Sequence, residues 1–163
     1  MRQFAAALAC AALGSAGLPD ARDAVADRVM TLTRASTWTL AASVPIAFRT
    51  FHPQGMVRIG ETLFVSSVEV LDRDAGKGVG HLFKMDMTGH LLADLRLGEG
   101  AIYHPGGIDY DGTNIWVPVA EYRPDSRSIV YRVDPRTLQA TEVFRAYFMP
   151  KDDRSTLYIY DVR

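Results

Sequence analysis

The sequence contains a single cysteine and no run of basic residues. Cys10 lies in an apolar N-terminal segment, so a mature chain without that segment would have no thiol for a disulfide, a thiolate metal site or a cysteine nucleophile. The formal net charge is −1 over 163 residues. Because binding to phosphates requires clustered lysine and arginine, we predict no nucleic-acid partner. The Gly-x-Ser-x-Gly motif of one class of serine hydrolase is also absent.

The chain also lacks an apolar run of the length that spans a bilayer, which is about 20 residues. Its apolar run at residues 4–13 follows a positively charged start and precedes small residues, the order of a secretory signal. We therefore predict a signal peptide over residues 1–17, with the cleavage site near Ala16, and a secreted or periplasmic protein without a transmembrane span. Two alternatives are an alanine-rich helix of the folded domain and a lipoprotein signal at Cys10.

Two kinds of pattern follow the apolar segment. Residues 18–36 mix charged and apolar residues at helical spacing and form a predicted lead-in segment with a short helix. From residue 37 onwards, short apolar runs alternate with turn signals that contain many of the 13 glycines and 8 prolines. This alternation is typical of an all-β fold.

An internal repeat organises this β-rich region. Residues 52–69 align without a gap on residues 104–121, an offset of 52 residues. Phe64 and Trp116 share one position of the repeat, and we predict both in the core. Six positions are identical: His52/His104, Pro53/Pro105, Gly55/Gly107, Gly60/Gly112, Val65/Val117 and Glu69/Glu121.

A second half follows in each copy, where residues 81–86 align with residues 129–134 at an offset of 48. The first copy therefore carries four extra residues, which we assign to a surface loop at residues 72–80. Each copy predicts four short strands in about 50 residues, the size of a β-propeller blade. Pro118 interrupts the second strand of the second copy, and we expect a bulge there or the end of that strand.

The predicted fold is a partial β-propeller over residues 37–163. Its blades lie at about 51–98 and 103–145, residues 37–48 form a stray outer strand of a preceding blade, and residues 146–163 form a divergent tail. A closed propeller usually has 4–8 blades, so two blades cannot close the ring. We therefore predict a truncated chain, one whose reading frame leaves the repeat, or one that closes by self-association through its open blade edges.

The repeat places polar residues on one rim of the predicted channel. His52 and His104 precede the innermost strands, and Glu69 and Glu121 follow the second strands. Imidazole and carboxylate suit a divalent metal such as calcium or a proton-transfer site, so Glu69 and Glu121 are candidate metal ligands. Asp109 is a further candidate because the first copy has Val57 in its place.

Each candidate also has a structural interpretation. The histidines fit a corner motif in which the ring bonds a backbone carbonyl, and the glutamates fit pairing with nearby cations. Asp109 fits turn chemistry. His81 and His90 are expected to be solvated in or beside turns.

The strings HPQGM and FVSSVEV, and HPGGIDYDG and IWVPVAEYRP, resemble an uncharacterised family of secreted propeller-type proteins found largely in bacteria. The resemblance covers about residues 38–144 and implies the fold but no activity. It also favours truncation, since members of the family look longer than this chain. A looser resemblance to gluconolactonase-like and strictosidine-synthase-like propellers implies a metal in the channel, although no ligand residue can be transferred.

Three hypotheses about function follow. The first is an exported binding module that takes a small molecule or a protein partner at the channel rim. The second is a metal-dependent hydrolase of the lactonase type, using Glu69, Glu121 and Asp109 with His104. The third is a non-functional fragment of such a protein.

Overall fold

The structure is a computed structural model that describes residues 21–151 and 154–162, with side chains described from 26 to 147. The chain divides into two compact units, residues 1–41 and residues 42–163. The predicted signal peptide lies outside the described residues. In the described part of the chain, no helix combines the length and the apolar character needed to cross a membrane.

The first unit contains the helix α1 (Ala21–Met30), which lies within the predicted lead-in segment. Arg28 lies in its last turn, where a cation interacts favourably with the carbonyl end of the helix dipole. The apolar residues of α1 do not gather on one face, so Val29 and Met30 remain exposed.

The described residues of the second unit form two antiparallel sheets, so the predicted all-β fold is confirmed. Sheet 1 has the strand order β1-β2-β3-β4 and contains β1 (His52–Ile59), β2 (Thr62–Asp72), β3 (Lys77–Asp86) and β4 (Leu91–Leu97). Sheet 2 has the order β10-β9-β8-β7-β5, with β6 also paired to β7, and contains β5 (Ile102–Pro105), β6 (Asp109–Tyr110), β7 (Ile115–Glu121), β8 (Arg127–Val133), β9 (Ala140–Lys151) and β10 (Arg154–Val162).

The two repeat copies therefore correspond to the two sheets. Gly60, between β1 and β2, and Gly112, its equivalent before β7, have φ angles of 58° and 96°. A residue with a Cβ rarely adopts these values, which explains why glycine stands at this turn in both copies.

A common apolar core joins the sheets. Because side chains alternate between the faces of a strand, Phe64 and Leu82 of sheet 1 point toward Ile115, Val117 and Val119 of sheet 2. All five are at most 1% exposed. Burial of side chains of this size contributes about 1.5–3 kcal/mol each, so this core holds the sheets together.

The structure corrects the prediction for Trp116. Its side chain lies on the face of β7 opposite Val117, is only half-buried, and donates from Nε1 to Oδ2 of Asp111 at 2.7 Å. Phe64 at the same repeat position is buried because sheet 2 covers it. No further sheet in the described residues covers the corresponding face of sheet 2.

The prediction of a stray strand at residues 37–48 is wrong. This segment has no strand pairing, and Trp38 and Leu40 are exposed. A strand requires a neighbour that satisfies its backbone groups. Among the described residues, the only backbone bond of this segment outside helices and strands is the one from the Ala47 amide to the Gly89 carbonyl, at 3.0 Å.

Pro118 lies within an unbroken β7 and pairs with Val130 of β8. The interruption falls instead on the neighbouring first strand, which is split into β5 and β6 at residues 106–108, opposite Pro118. Proline has no amide hydrogen for this neighbour, while its carbonyl still accepts a bond from the Gly106 amide at 2.9 Å.

The predicted divergent tail continues sheet 2. Strand β9 extends to Lys151, and β10 pairs with it as an antiparallel hairpin, with Arg154 opposite Lys151 and Val162 opposite Phe144. Sheet 2 therefore has a strand beyond the four of the repeat unit.

Candidate functional site

His81 is buried in sheet 1, so the prediction that it is solvated in or beside a turn is wrong. It lies inside β3, opposite Ser67 of β2, and is 2% exposed. The repeat aligns His81 with Ile129 of sheet 2, which is fully buried. A titratable ring thus stands at a core position that is aliphatic in the other copy. This difference is the signal by which the sequence could have identified it.

Two carboxylates flank the His81 ring. Nδ1 lies 2.9 Å from Oδ1 of Asp94 on β4, and Nε2 lies 3.9 Å from Oε2 of Glu69 on β2. The second distance exceeds that of a hydrogen bond. Nε2 is buried and has no hydrogen-bond partner among the described residues. Because an ionised carboxylate only accepts hydrogen bonds, Nδ1 carries the hydrogen that Asp94 accepts.

Aromatic rings contact the same imidazole. The centroids of Phe51 and Phe83 lie 5.0 Å and 4.9 Å from that of His81, and 6.3 Å from each other. The Arg49 guanidinium lies 4.9 Å from the centre of the Phe51 ring. Phe51 has a φ angle of 54°, a left-handed conformation that costs a non-glycine residue about 1–2 kcal/mol. Such strain is found preferentially at functional sites.

Glu69 connects this buried cluster to a surface cavity, which we call the first-sheet groove. The groove encloses about 640 Å³. The Glu69 side chain is 28% exposed in its wall, with His81 behind it. The groove is lined by Phe48, Arg49, Thr50, Phe51, His52, Val68, Glu69, Val70 and Arg73.

The structure brings His52 and Glu69, two of the predicted site residues, into this groove. His52 is exposed, and its Nδ1 lies 3.0 Å from Nε2 of Gln54. His104 is half-buried and stacks on Tyr122 at 5.0 Å. Burial lowers the pKa of His104, and the nearby charges of His52 and Arg73 lower it further. His52 is therefore near enough to affect the pKa of His104, and this environment favours the neutral form of the His104 ring.

Arg73 extends this group of residues toward Tyr122, with its guanidinium 4.5 Å from the centre of the Tyr122 ring. Neither Arg73 nor Arg49 was among the predicted site residues, because both lie outside the identical positions of the repeat. Only the placement of the chain around the groove reveals them.

Glu121 has partners of its own. Its carboxylate accepts bonds from Nε of Arg123 at 2.9 Å and from Nη2 of Arg127 at 2.6 Å, and its side chain is 2% exposed. Burial alone would raise the pKa of Glu121, but the bonds from Arg127 and Arg123 outweigh it and lower the pKa from 4.5 to about 2. The arginines thus neutralise the carboxylate that the repeat aligns with Glu69.

Asp109 is exposed on β6, where its Oδ1 accepts a bond from the Tyr110 amide at 2.8 Å. This contact joins neighbouring residues of the same strand, whereas Asp111 accepts the amides of Thr113 and Asn114 in the turn that follows. Among the described residues, no group of three or more His, Cys, Asp or Glu side chains is arranged to hold a metal ion.

Together these observations define a two-sheet, all-β protein with a polar groove on one sheet. The chain belongs to a family of unknown function, DUF6454, whose model matches residues 5–146. The match includes both repeat copies and ends within β9. Searches of curated proteins and of solved structures find no significant match.

Proposed function

We propose that this protein is an exported, propeller-type binding module that takes a small organic anion in the first-sheet groove. The propeller architecture is supported by the repeat, since each copy supplies a four-strand unit and the units pack through one apolar core. Export is supported by the signal-like pattern of residues 1–17.

The observation that carries the proposal is the pair of guanidinium groups at the groove. Arg49 lies over Phe51 and Arg73 lies over Tyr122. A cation–π contact holds a guanidinium by its face, which leaves its in-plane N–H groups directed outward. The salt bridges of the described residues involve other arginines, namely Arg58, Arg123, Arg127, Arg136 and Arg145.

The charge balance of the groove favours an anionic ligand. Two arginines face one carboxylate, that of Glu69. A guanidinium binds a carboxylate or phosphate through paired hydrogen bonds, each of about 1.5–3 kcal/mol. Phe48, Val68 and Val70 add apolar lining for a short carbon skeleton.

Calorimetric titration of the purified full-length protein tests this function. The probes are acetate, succinate and citrate, each matched with its uncharged amide. We expect the acids to bind more tightly than the amides, with an affinity that decreases as salt is added. Arg73→Ala and Arg49→Ala should each weaken binding about tenfold or more.

Arg58→Ala is the matched control, because Arg58 is exposed near the end of β1 and pairs with Glu61 at 2.7 Å. It removes the same charge away from the groove and should leave the affinity unchanged. Equal binding of acids and amides, or equal weakening by Arg58→Ala, would overturn the proposed function.

A hydrolase is the second candidate, and the Asp94–His81 pair favours it. A carboxylate on Nδ1 leaves Nε2 as the basic nitrogen, the arrangement of a general base. Metal analysis of the purified protein tests the metal-dependent form of this hypothesis. A stoichiometric divalent metal that is lost in Glu69→Gln would support it, whereas its absence would count against it.

A further inference from the structure

We infer that the first unit of this protein carries a surface that binds the headgroup region of an anionic lipid membrane. This surface, which we call the lead-in surface, consists of the exposed apolar side chains of Val29, Met30, Leu32, Trp38 and Leu40. It is separate from the first-sheet groove, so the inference adds an interaction to the proposed binding function and does not depend on it.

The lead-in surface concentrates exposed apolar side chains in a short stretch of the chain. Met30, Trp38 and Leu40 are 84%, 78% and 82% exposed. Every residue from 26 to 40 is exposed except Ser36. Single exposed apolar residues are ordinary on a protein surface, whereas a cluster of them marks a site of interaction. The lead-in surface is such a cluster.

A turn after α1 gathers part of this surface around one cavity. The Thr33 amide donates to Oγ of Ser36 at 2.9 Å, and the Ser36 amide donates to the Thr33 carbonyl at 3.1 Å. The cavity encloses about 740 Å³ and is lined by Arg28, Val29, Thr31, Leu32, Ser36, Thr37 and Trp38. An apolar wall with a guanidinium group beside it matches a lipid, which combines acyl chains with a phosphate.

The charges next to the lead-in surface favour an anionic membrane. Arg28 and Arg34 are exposed and take no part in the salt bridges of the described side chains. The acidic residues of α1, Asp23 and Asp27, precede Arg28, and the sequence has no further Asp or Glu before Glu61. Each arginine held near an anionic leaflet raises the affinity about fivefold.

The backbone of the same stretch favours the membrane surface over the hydrocarbon interior. Residues 37–40 have no strand pairing, so their amides and carbonyls need water nearby. At the interface, apolar side chains enter the acyl boundary while the backbone remains among hydrated headgroups. Tryptophan is enriched at this depth because its ring is apolar and its N–H group is polar. Trp38 therefore suits this position.

The two tryptophans of the chain provide a direct test. The variant Trp116→Phe retains only Trp38, and Trp38→Phe retains only Trp116. The probes are vesicles of phosphatidylcholine alone and of an equal mixture with phosphatidylglycerol. On the mixed vesicles we expect the emission of Trp38 to move to shorter wavelength and to be quenched by brominated acyl chains, while that of Trp116 stays the same. Unchanged emission of Trp38 would overturn the inference.

Sedimentation of the full-length protein with the same vesicles measures its affinity without a change of tryptophan. Leu40→Ser and Arg34→Gln should each weaken binding to the mixed vesicles about fivefold or more. Leu92→Ser is the matched control, because it removes an exposed leucine of β4, and it should leave the affinity unchanged. Equal weakening by Leu92→Ser, or equal binding of the unaltered protein to neutral vesicles, would contradict the inference.

Two other contacts of this part of the chain would give different results. Residues 4–13 are apolar and could bind vesicles themselves. Leu8→Arg interrupts that run and should leave the emission shift of Trp38 in place, so loss of the shift would assign the contact to residues 4–13. If the emission of Trp38 instead shifts with protein concentration in the absence of vesicles, the lead-in surface joins two copies of the chain and the inference fails.

Discussion

Gly55 and Gly107 occupy the same position in the two repeat copies, and they also lie against each other where the sheets meet. A Cβ atom built on Gly55 would be 2.8 Å from the Cα of Gly107 and 2.8 Å from the Ile108 amide nitrogen. A Cβ atom on Gly107 meets no described atom within 4 Å. The same glycine is therefore sterically required in one copy and not in the other.

Gly55→Ala should destabilise the protein by about 1–3 kcal/mol, because the added methyl group forces the two backbones apart. Gly107→Ala, the matched control, should change the free energy of unfolding by less than about 0.5 kcal/mol. Urea denaturation of both variants measures this difference. If both variants lose the same free energy of unfolding, a neighbour must also pack on Gly107.

The aromatic residues of the repeat give a second prediction. Phe64→Ala should lower the free energy of unfolding by about 3–5 kcal/mol, since it opens a cavity in the core between the sheets. Trp116→Ala should lower it by about 1 kcal/mol, because the Trp116 ring is half-buried and its bond among the described residues is to Asp111 in a turn. Chemical denaturation compares the two variants, and an equally large loss for Trp116→Ala would contradict the exposed face of sheet 2.

The pKa of Glu121 predicts an acid-sensitive contribution to stability. The folded-state pKa of about 2 lies below the ordinary 4.5, so between these values the unfolded chain takes up a proton that the folded chain does not. The free energy of unfolding should therefore fall as the pH drops from about 4.5 to 2. The loss amounts to at most about 3 kcal/mol, reduced by solvent screening at the exposed arginines.

Denaturation of Glu121→Gln over this pH range measures that contribution, which the variant should lack. Glu61→Gln is the control, because Glu61 is exposed and pairs only with Arg58 at the surface. If Glu61→Gln flattens the pH dependence as much as Glu121→Gln does, the contribution does not come from the buried carboxylate.

His52 is one of the groups that lower the pKa of His104. His52→Ala removes this effect, so the pKa of His104 should rise toward its ordinary value. Proton NMR of the imidazole signals measures it. His90→Ala, which removes an exposed histidine beside Asp86, should leave the pKa of His104 unchanged. An unchanged pKa in His52→Ala would place the two histidines apart.

Much of the local architecture could be predicted from residue patterns. The apolar run at residues 63–70 falls in β2, the run at 115–122 covers β7 and one residue beyond it, and Gly60 and Gly112 form the turns that their positions in the repeat suggested. The strands follow from the alternation of side chains with a period of two, and the turns follow from the backbone freedom of glycine. Both properties are set by residues that are close together in the sequence. By contrast, the prediction of Trp116 in the core is wrong. The repeat shows that Trp116 and Phe64 have the same position in their strands, but burial depends on what packs against that position.

The candidate site was predicted only in part. His52 and Glu69 line the groove, but Glu121 is held by Arg123 and Arg127, and Asp109 is exposed on β6. Metal binding at Glu69 and Glu121 stays a prediction, to be checked by the metal analysis described above. The remaining groove residues, Arg49 and Arg73 among them, were beyond prediction because no local pattern distinguishes them from ordinary surface cations.

The sequence by itself determined that this protein has two copies of a four-strand unit with glycine turns, because those properties follow from the order of residues along a few positions of the chain. Only the tertiary structure decided that His81 packs against Phe51 and Phe83 with a carboxylate near each ring nitrogen. Strand pairing and ring stacking join residues separated by up to 32 positions, Phe51 and Phe83 among them. Such contacts depend on how the sheet is covered, which no local pattern in the chain specifies.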